Sequence, residues 1–198
     1  MEELELALNI VKDKYGNYYN FQWHLDSMMN YGIVVLNEIK KNSPNLDILD
    51  AGFGWGTISI ASHIMDNNIT SIDLFCPPPV FYGINWIYPV DIQDPDFELE
   101  QRFDYILLLE VLEHFNFNVK PTLKKLVSWL KEDGILIITT PDKERFNENL
   151  PDIILPEYDK NIKIKDSHIR FYDENDLSFL KIESTIELNC HNMFFIRK

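Results

Sequence analysis

The stretch Asp47-Ile48-Leu49-Asp50-Ala51-Gly52-Phe53-Gly54-Trp55-Gly56-Thr57 decides how this chain folds. Its first four residues form a short, apolar-rich strand. Three glycines then alternate with bulky residues, and from Thr57 to Asp66 the side chains of Ile58, Ala61 and Met65 recur at helical spacing. Strand, glycine turn and helix open the nucleotide-binding half of many α/β sheets. Glycine allows the sharp turn there and brings bare backbone against a ligand where a Cβ would collide. Thr70-Ser71-Ile72-Asp73 reads as the second strand. A carboxylate about 20 residues past the first glycine can accept hydrogen bonds from both ribose hydroxyls of an adenosine-containing cofactor. Asp73 stands at that place. The pyrophosphate fingerprint requires G-x-G-x-x-G. Here the third glycine arrives one residue early and Thr57 fills the slot, so the loop suits an adenosyl ligand without a pyrophosphate better than it suits NAD.

Outward from this turn, strands and helices alternate. Asn85 to Val90 reads as a third strand, and Tyr105-Ile106-Leu107-Leu108-Leu109 is a continuous apolar run of the kind covered on both faces. A helix is expected from Pro121, with Leu123, Leu126, Val127 and Leu130 at helical spacing and Gly134 closing it. Ile135 to Ile138 follows as a buried strand. After a proline-punctuated stretch, 141–166, a short helix is expected near 173–180. Two strands, Ile182–Leu188 and Met193–Ile196, end the chain as an antiparallel hairpin. Upstream, an amphipathic helix is expected from Leu25 to about Lys41 and ends at Asn42-Ser43-Pro44-Asn45. Strand and helix alternation implies a Rossmann-like three-layer α/β sandwich, a mainly parallel seven-stranded sheet with an antiparallel C-terminal hairpin. The expected organisation is one domain, 1–198, with an N-terminal helical and aromatic segment, 1–45, and a Rossmann-like core, 46–198.

Composition narrows the function. The 198 residues carry 18 basic against 32 acidic side chains, a net charge of −14. Binding through nucleic-acid phosphates needs clustered Lys and Arg, so nucleic acid is not the expected partner. Cys76 and Cys190 lie far apart without CxxC spacing. That argues against a disulfide framework or a zinc site, and no metal is expected. No apolar run approaches bilayer length, and MEELELALNI is acidic where a secretory leader is basic. A cytoplasmic setting without membrane insertion is expected.

At Leu49-Asp50-Ala51-Gly52-Phe53-Gly54-Trp55-Gly56 the chain resembles the class I S-adenosylmethionine-dependent methyltransferases, whose first motif is close to L-D-x-G-x-G-x-G. The likeness continues in order. Phe103-Asp104-Tyr105-Ile106 through Glu110-Val111-Leu112-Glu113-His114-Phe115 looks like the family's fourth-strand segment ending in "LEH". Leu130 to Pro141 resembles its helix-turn-fifth-strand segment, and His168-Ile169-Arg170-Phe171-Tyr172, followed by Glu174 and Leu177, resembles the segment before its sixth strand. The subgroup it resembles most methylates small molecules, quinone precursors and sugars among them.

The resemblance implies S-adenosylmethionine as cofactor. The backbone of Ala51, Gly52, Gly54 and Gly56 would hold its methionine part and ribose, and Asp50 would support its amino group. Asp73 would bind the ribose hydroxyls, Leu74 would pack on the adenine, and Asp91 and Ile92 match the position beside the adenine amino group. Glu110 would line the methionine end. The family's helix between the second and third strands has Cys76-Pro77-Pro78-Pro79 at its start here, so a short or irregular crossover is expected. Trp55 either faces the cofactor or acceptor or covers the helix start.

Methyl transfer from a sulfonium is an in-line displacement, so positioning and water exclusion supply much of the acceleration. A general base is needed only when the acceptor must lose a proton. His114, just past the carboxyl end of the fourth strand, is the first candidate, and His168 the second. Each can instead be a packing histidine. Glu113 can orient a histidine or lie solvated at a helix start. Tyr15, Tyr18, Tyr19, Phe21, Trp23 and His24 form either a lid or an anchor that pins the N-terminal segment. The partner implied is a small-molecule methyl acceptor, a sugar or quinone-like metabolite methylated on oxygen or nitrogen. Two other functions compete: an NAD-dependent oxidoreductase, and a non-catalytic binding or scaffold protein that keeps the fold.

Overall fold

The computed structural model describes every residue except Met1, Tyr19, Asn20, Asn147, Asn149, Pro151 and Asp152. The chain falls into two compact units, residues 1–90 and 91–198.

In the first unit, helix α1 (Glu2–Tyr15) has Glu2, Glu3 and Glu5 in its first turn and Lys12 and Lys14 in its last, charges that complement the helix dipole. Leu4, Ala7, Val11 and Tyr15 fall on one face and are buried. The helix expected from Leu25 starts earlier. Helix α2 (Phe21–Ser27) passes through a π-helical turn (Met28–Gly32) into α3 (Ile33–Lys40). Strands β1 (Asp47–Ala51), β2 (Asn68–Ile72) and β3 (Asn85–Ile87) are parallel and ordered β3-β2-β1. The third strand is shorter than its sequence pattern suggests, because Pro89 follows and cannot donate to a ladder. Helix α4 (Thr57–Ile64) follows the glycine turn. Ile48, Leu49, Ile60 and Ile72 are fully or almost fully buried, along with Val35 and Ile39 of α3. Between β2 and β3, residues 73–84 form bends and no helix, as three consecutive prolines require.

In the second unit, β4 (Phe103–Leu109) pairs in parallel with β5 (Leu130–Pro141). β5 pairs antiparallel with β7 (His191–Arg197), and β7 with β6 (Ile182–Leu188), giving the order β4-β5-β7-β6. The seven strands are therefore mainly parallel with an antiparallel C-terminal hairpin, as expected. β5 is buried from Gly134 to Pro141 because it has a partner on each edge. β6 is the exposed edge, and its charged Glu183 and Glu187 discourage further pairing.

Three expectations change here. Helix α5 (Val119–Ser128) begins at Asn118, whose side chain accepts from the Lys120 N–H at 3.1 Å. Pro121 then lies within the first turn, where a missing donor is harmless. The helix ends at Ser128, and Gly134 lies inside β5, where a Cβ would sit 2.9 Å from the Phe103 carbonyl oxygen. The helix expected at 173–180 is a run of turns. Asp173 and Asp176 each accept the other's backbone N–H, at 3.0 and 3.1 Å, the exchange that caps a helix start, yet the segment does not continue past single turns. No helix among the described residues is long and apolar enough to cross a membrane.

Candidate active site

The glycine turn in the first unit is built from positive-φ backbone. Gly54 has φ 54° and Gly56 φ 81°, values that side chains with a Cβ rarely adopt. Gly56 precedes α4 and meets close neighbours: a Cβ there would lie 2.9 Å from the Trp86 ring and 3.1 Å from Pro79. Gly54 is the opposite case. A Cβ at Gly54 would meet no atom within 4 Å among the described residues, so the loop is open on that side.

Asp73 stands one residue past β2 and is tied to this opening. Its Oδ2 accepts the Gly54 N–H at 2.9 Å, and its Oδ1 accepts those of Phe75 and Cys76 at 2.7 and 2.8 Å. A carboxylate offers about four acceptor positions, and these three backbone donors hold both oxygens of Asp73 in place. Ala51 is buried at the end of β1, and Leu74 is half-buried. Asp50 is buried beneath the turn, where its Oδ2 accepts from Ser59 Oγ at 2.5 Å and Ser59 Oγ lies 2.8 Å from Ser71 Oγ. Burial raises its carboxyl to about 7, against the lowering effect of the Ser59 bond.

Trp55 explains how the N-terminal segment meets the turn. Its ring stacks on Tyr15 (5.3 Å between centroids, 9° between planes) and on Phe21 (5.7 Å, 13°), with the His24 ring 4.5 Å away. His24 Nε2 lies 2.8 Å from Thr57 Oγ1, and burial lowers the imidazole to about 4. Tyr15 Oη donates to the Pro77 carbonyl at 2.7 Å, and Lys14 Nζ to the Pro78 carbonyl at 2.7 Å. One strap thus holds both the glycine turn and the proline crossover. Tyr18 and Trp23 of the aromatic stretch are exposed, and Tyr19 lies outside the described residues.

In the second unit the carboxyl end of β4 delivers a different chemistry. Glu110 has φ 54°, a strained conformation for a residue with a side chain. Its N–H donates to the carbonyl and hydroxyl oxygens of Thr139, which fixes the bend. Its Oε2 lies 2.8 Å from Nδ1 of the buried His191, and its Oε1 is buried without a hydrogen-bond partner among the described residues. A 3-10 turn, Leu112–His114, follows. Within it Glu113 is 1% exposed, its Oε2 without a well-formed hydrogen bond among the described residues, and burial followed by the Glu110 charge pushes its carboxyl well above the usual range.

His168, distant in sequence, is brought to His114 by the backbone. The Glu113 carbonyl accepts the Ile169 N–H at 2.7 Å. The Asn116 amide clamps Lys165, accepting its N–H at 3.1 Å and donating to its carbonyl at 3.0 Å. The two imidazole centroids then lie 4.9 Å apart, edge to face. His168 Nδ1 sits 2.5 Å from Glu148 Oε2, and His114 Nδ1 sits 3.3 Å from Asp166 Oδ1. Burial first, and the neighbouring His168 second, lower the His114 imidazole. Asp91 lies at the start of this unit. Its Oδ1 accepts the Gln93 N–H at 2.8 Å, the Tyr158 hydroxyl is its side-chain neighbour, and burial raises its carboxyl; Ile92 beside it is buried.

Sequence reading missed Glu148, Asp166 and His191 as partners of these groups. Only Asp166, adjacent in sequence to Ser167-His168, carried a local signal; the other two become neighbours through the fold.

Residues 33–180 match the family described as a methyltransferase domain. The chain belongs to that family. This methyltransferase-family chain is 27% identical over 165 residues to the ubiquinone biosynthesis O-methyltransferase of Rickettsia prowazekii, covering 78% of its own length and 65% of that protein's. It spans less than two thirds of the length of the curated relatives it matches. The fold is that of the N-methyltransferase NodS from Bradyrhizobium japonicum WM9, with a TM-score of 0.58, 15% identity and 83% and 93% of the two chains covered. An S-adenosylmethionine dependent methyltransferase from Mesorhizobium loti is similarly alike, with a TM-score of 0.60, 15% identity and 83% and 96% covered. These likenesses do not favour an oxidoreductase, in keeping with the early third glycine.

Proposed function

We propose that the chain transfers the methyl group of S-adenosylmethionine to an oxygen or nitrogen of a small molecule, the two units serving as one methyltransferase domain in a cytoplasmic setting. One observation carries this reading: in a methyltransferase-family chain, the glycine turn is open at Gly54 and a carboxylate, Asp73, is anchored on the same residue's N–H. When bound, the cofactor supplies an electrophilic methyl carbon on a sulfonium.

The residues of the chain would divide the remaining work. The backbone of Ala51, Gly52, Gly54 and Gly56 would lie along the methionine and ribose, with Asp50 behind it toward the amino group. Asp73 would accept the ribose hydroxyls, and Leu74 would cover the adenine. Asp91, with Ile92 beside it, would lie at the adenine amino group, and the Oε1 of Glu110, without a hydrogen-bond partner among the described residues, suits the amino group at the methionine end. His114 and His168 would act on the acceptor. The Glu148 carboxylate at His168 Nδ1 would leave Nε2 of that ring as the basic nitrogen, able to take a proton from an acceptor hydroxyl.

Labelled methyl transfer to a panel of phenols, sugars and amines tests the reaction. Asp73→Ala should weaken S-adenosylhomocysteine binding by about tenfold or more, the loss of a charge-assisted hydrogen bond. His114→Ala should leave that affinity nearly unchanged and lower turnover by about tenfold or more. Unchanged binding in the first variant refutes the ribose role, and full turnover in the second removes His114 from the chemistry.

A further inference from the structure

Glu113, His114 and His168 each offer a ligand atom within 4.8 Å of the others, a set the cysteine spacing gave no reason to expect. We propose that these three side chains bind a divalent transition-metal ion, zinc being the natural occupant of such a nitrogen and oxygen set. Two histidines and one carboxylate are three protein ligands, the number that leaves a coordination position open for an exogenous oxygen.

Three features beyond proximity point to a cation. The Glu113 side chain is 1% exposed, and among the described residues its Oε2 has no well-formed hydrogen bond, with the Thr140 hydroxyl as a polar neighbour. A buried carboxylate oxygen left in this way is costly unless something cationic or a donor meets it. His168 also presents Nδ1 to a second carboxylate, Glu148, at 2.5 Å, while His114 Nδ1 lies 3.3 Å from Asp166 Oδ1 without a formed hydrogen bond. The His168–Glu148 contact is the carboxylate–histidine arrangement that fixes the tautomer of a metal-bound imidazole and leaves its Nε2 as the donor to the ion. His114 Nε2 already lies 4.0 Å from Glu113 Oε1. Around a tetrahedral ion at ~2.0–2.1 Å, ligand atoms are ~3.3 Å apart, so the set closes by roughly an ångström. Both imidazoles are partly exposed and can turn to do so. Lastly, Glu110 adds a further carboxylate close to Glu113.

The role of the ion, unlike its binding, rests on the methyl-transfer reading above. An acceptor hydroxyl at the open position would be acidified by the cation and lose its proton to water. The oxygen lone pair would then form the new bond to the methyl carbon as the carbon–sulfur bond breaks, releasing S-adenosylhomocysteine. An amine held by the same ion would have its lone pair occupied. The loaded site therefore selects oxygen acceptors, and the ion replaces imidazole in activating them.

Chelator-treated full-length protein, titrated with Zn2+ by calorimetry and with Co2+ by visible absorption, tests the site directly. The expected result is one ion per chain, with affinity lost in His168→Ala and in Glu113→Gln. Glu148→Gln, which alters only the partner of His168, should weaken binding about 10- to 100-fold. His63→Ala, in the first unit, should change nothing. No stoichiometric uptake, or uptake indifferent to the His114 and His168 variants, overturns the proposal. If His168→Ala does not fold, unchanged affinity in Glu148→Gln overturns it. Metal uptake without S-adenosylhomocysteine binding upholds the site and refutes the cofactor reading; the reverse pattern refutes the site alone.

Discussion

Asp50 is buried and His24 half-buried beside the glycine turn, and loss of solvent moves them in opposite senses along the pH axis. Asp50 titrates at about 7 in the folded chain, above the ordinary 3.8. Between those values the unfolded carboxyl ionises while the folded one stays protonated, so stability falls as pH rises from about 4 to about 7. His24 titrates at about 4, below the ordinary 6.5. As pH falls through that window the unfolded ring takes up a proton that the folded ring refuses, so stability falls with it. Each effect is on the order of 3–4 kcal/mol, and in the wild-type chain they largely offset each other. Asp50→Asn should therefore make the protein more acid-sensitive, and His24→Gln more sensitive toward neutral pH. Urea midpoints at several pH values between 4 and 7 check both; variants whose pH slopes match the wild type contradict the assignment. Gly54 makes a sharper test. Gly54→Ala introduces a Cβ at φ 54° into the open side of the turn. It should destabilise the fold by only about 1 kcal/mol while lowering cofactor affinity far more. An affinity loss no larger than the stability loss contradicts the cradle.

At the scale of elements, the strap formed by α1 and α2 meets the glycine turn through the Trp55 ring, beside the His24–Thr57 contact. Trp55→Ala removes the stack on Tyr15 and Phe21 and should destabilise the first unit by about 3 kcal/mol. Amide exchange in α1 should rise more than in β1 or β2, and equal protection in variant and wild type would show that the strap is held elsewhere. The turn itself was legible because everything that makes it lies within a few residues: a strand, three glycines, a helix, then Asp73 on the next strand. Where each helix starts and stops was less legible. The segment 173–180 stays a run of turns although Asp173 and Asp176 cap each other, and Asn118 rather than Pro121 starts α5. The Glu113–His114–His168 cluster was half visible. The "LEH" segment marks two of its members, but no pattern in sequence announces that the Asn116 amide and the Glu113 carbonyl draw residues 165–170 alongside.

Over the whole molecule, the α/β order could be read from alternation alone, because buried parallel strands must be continuous apolar runs and their helices must be amphipathic. The net charge of −14 belongs to the same scale. It repels polyanions and favours cations, which agrees with a sulfonium cofactor and with a divalent ion among carboxylates. The binding reading reduces to a single titration: S-adenosylhomocysteine and, separately, NADH into the full chain by calorimetry. The predicted result is one S-adenosylhomocysteine per chain, with affinity lost in Asp73→Ala, and no heat from NADH. Binding of NADH in its place, or no binding of either ligand by folded protein, would contradict the account.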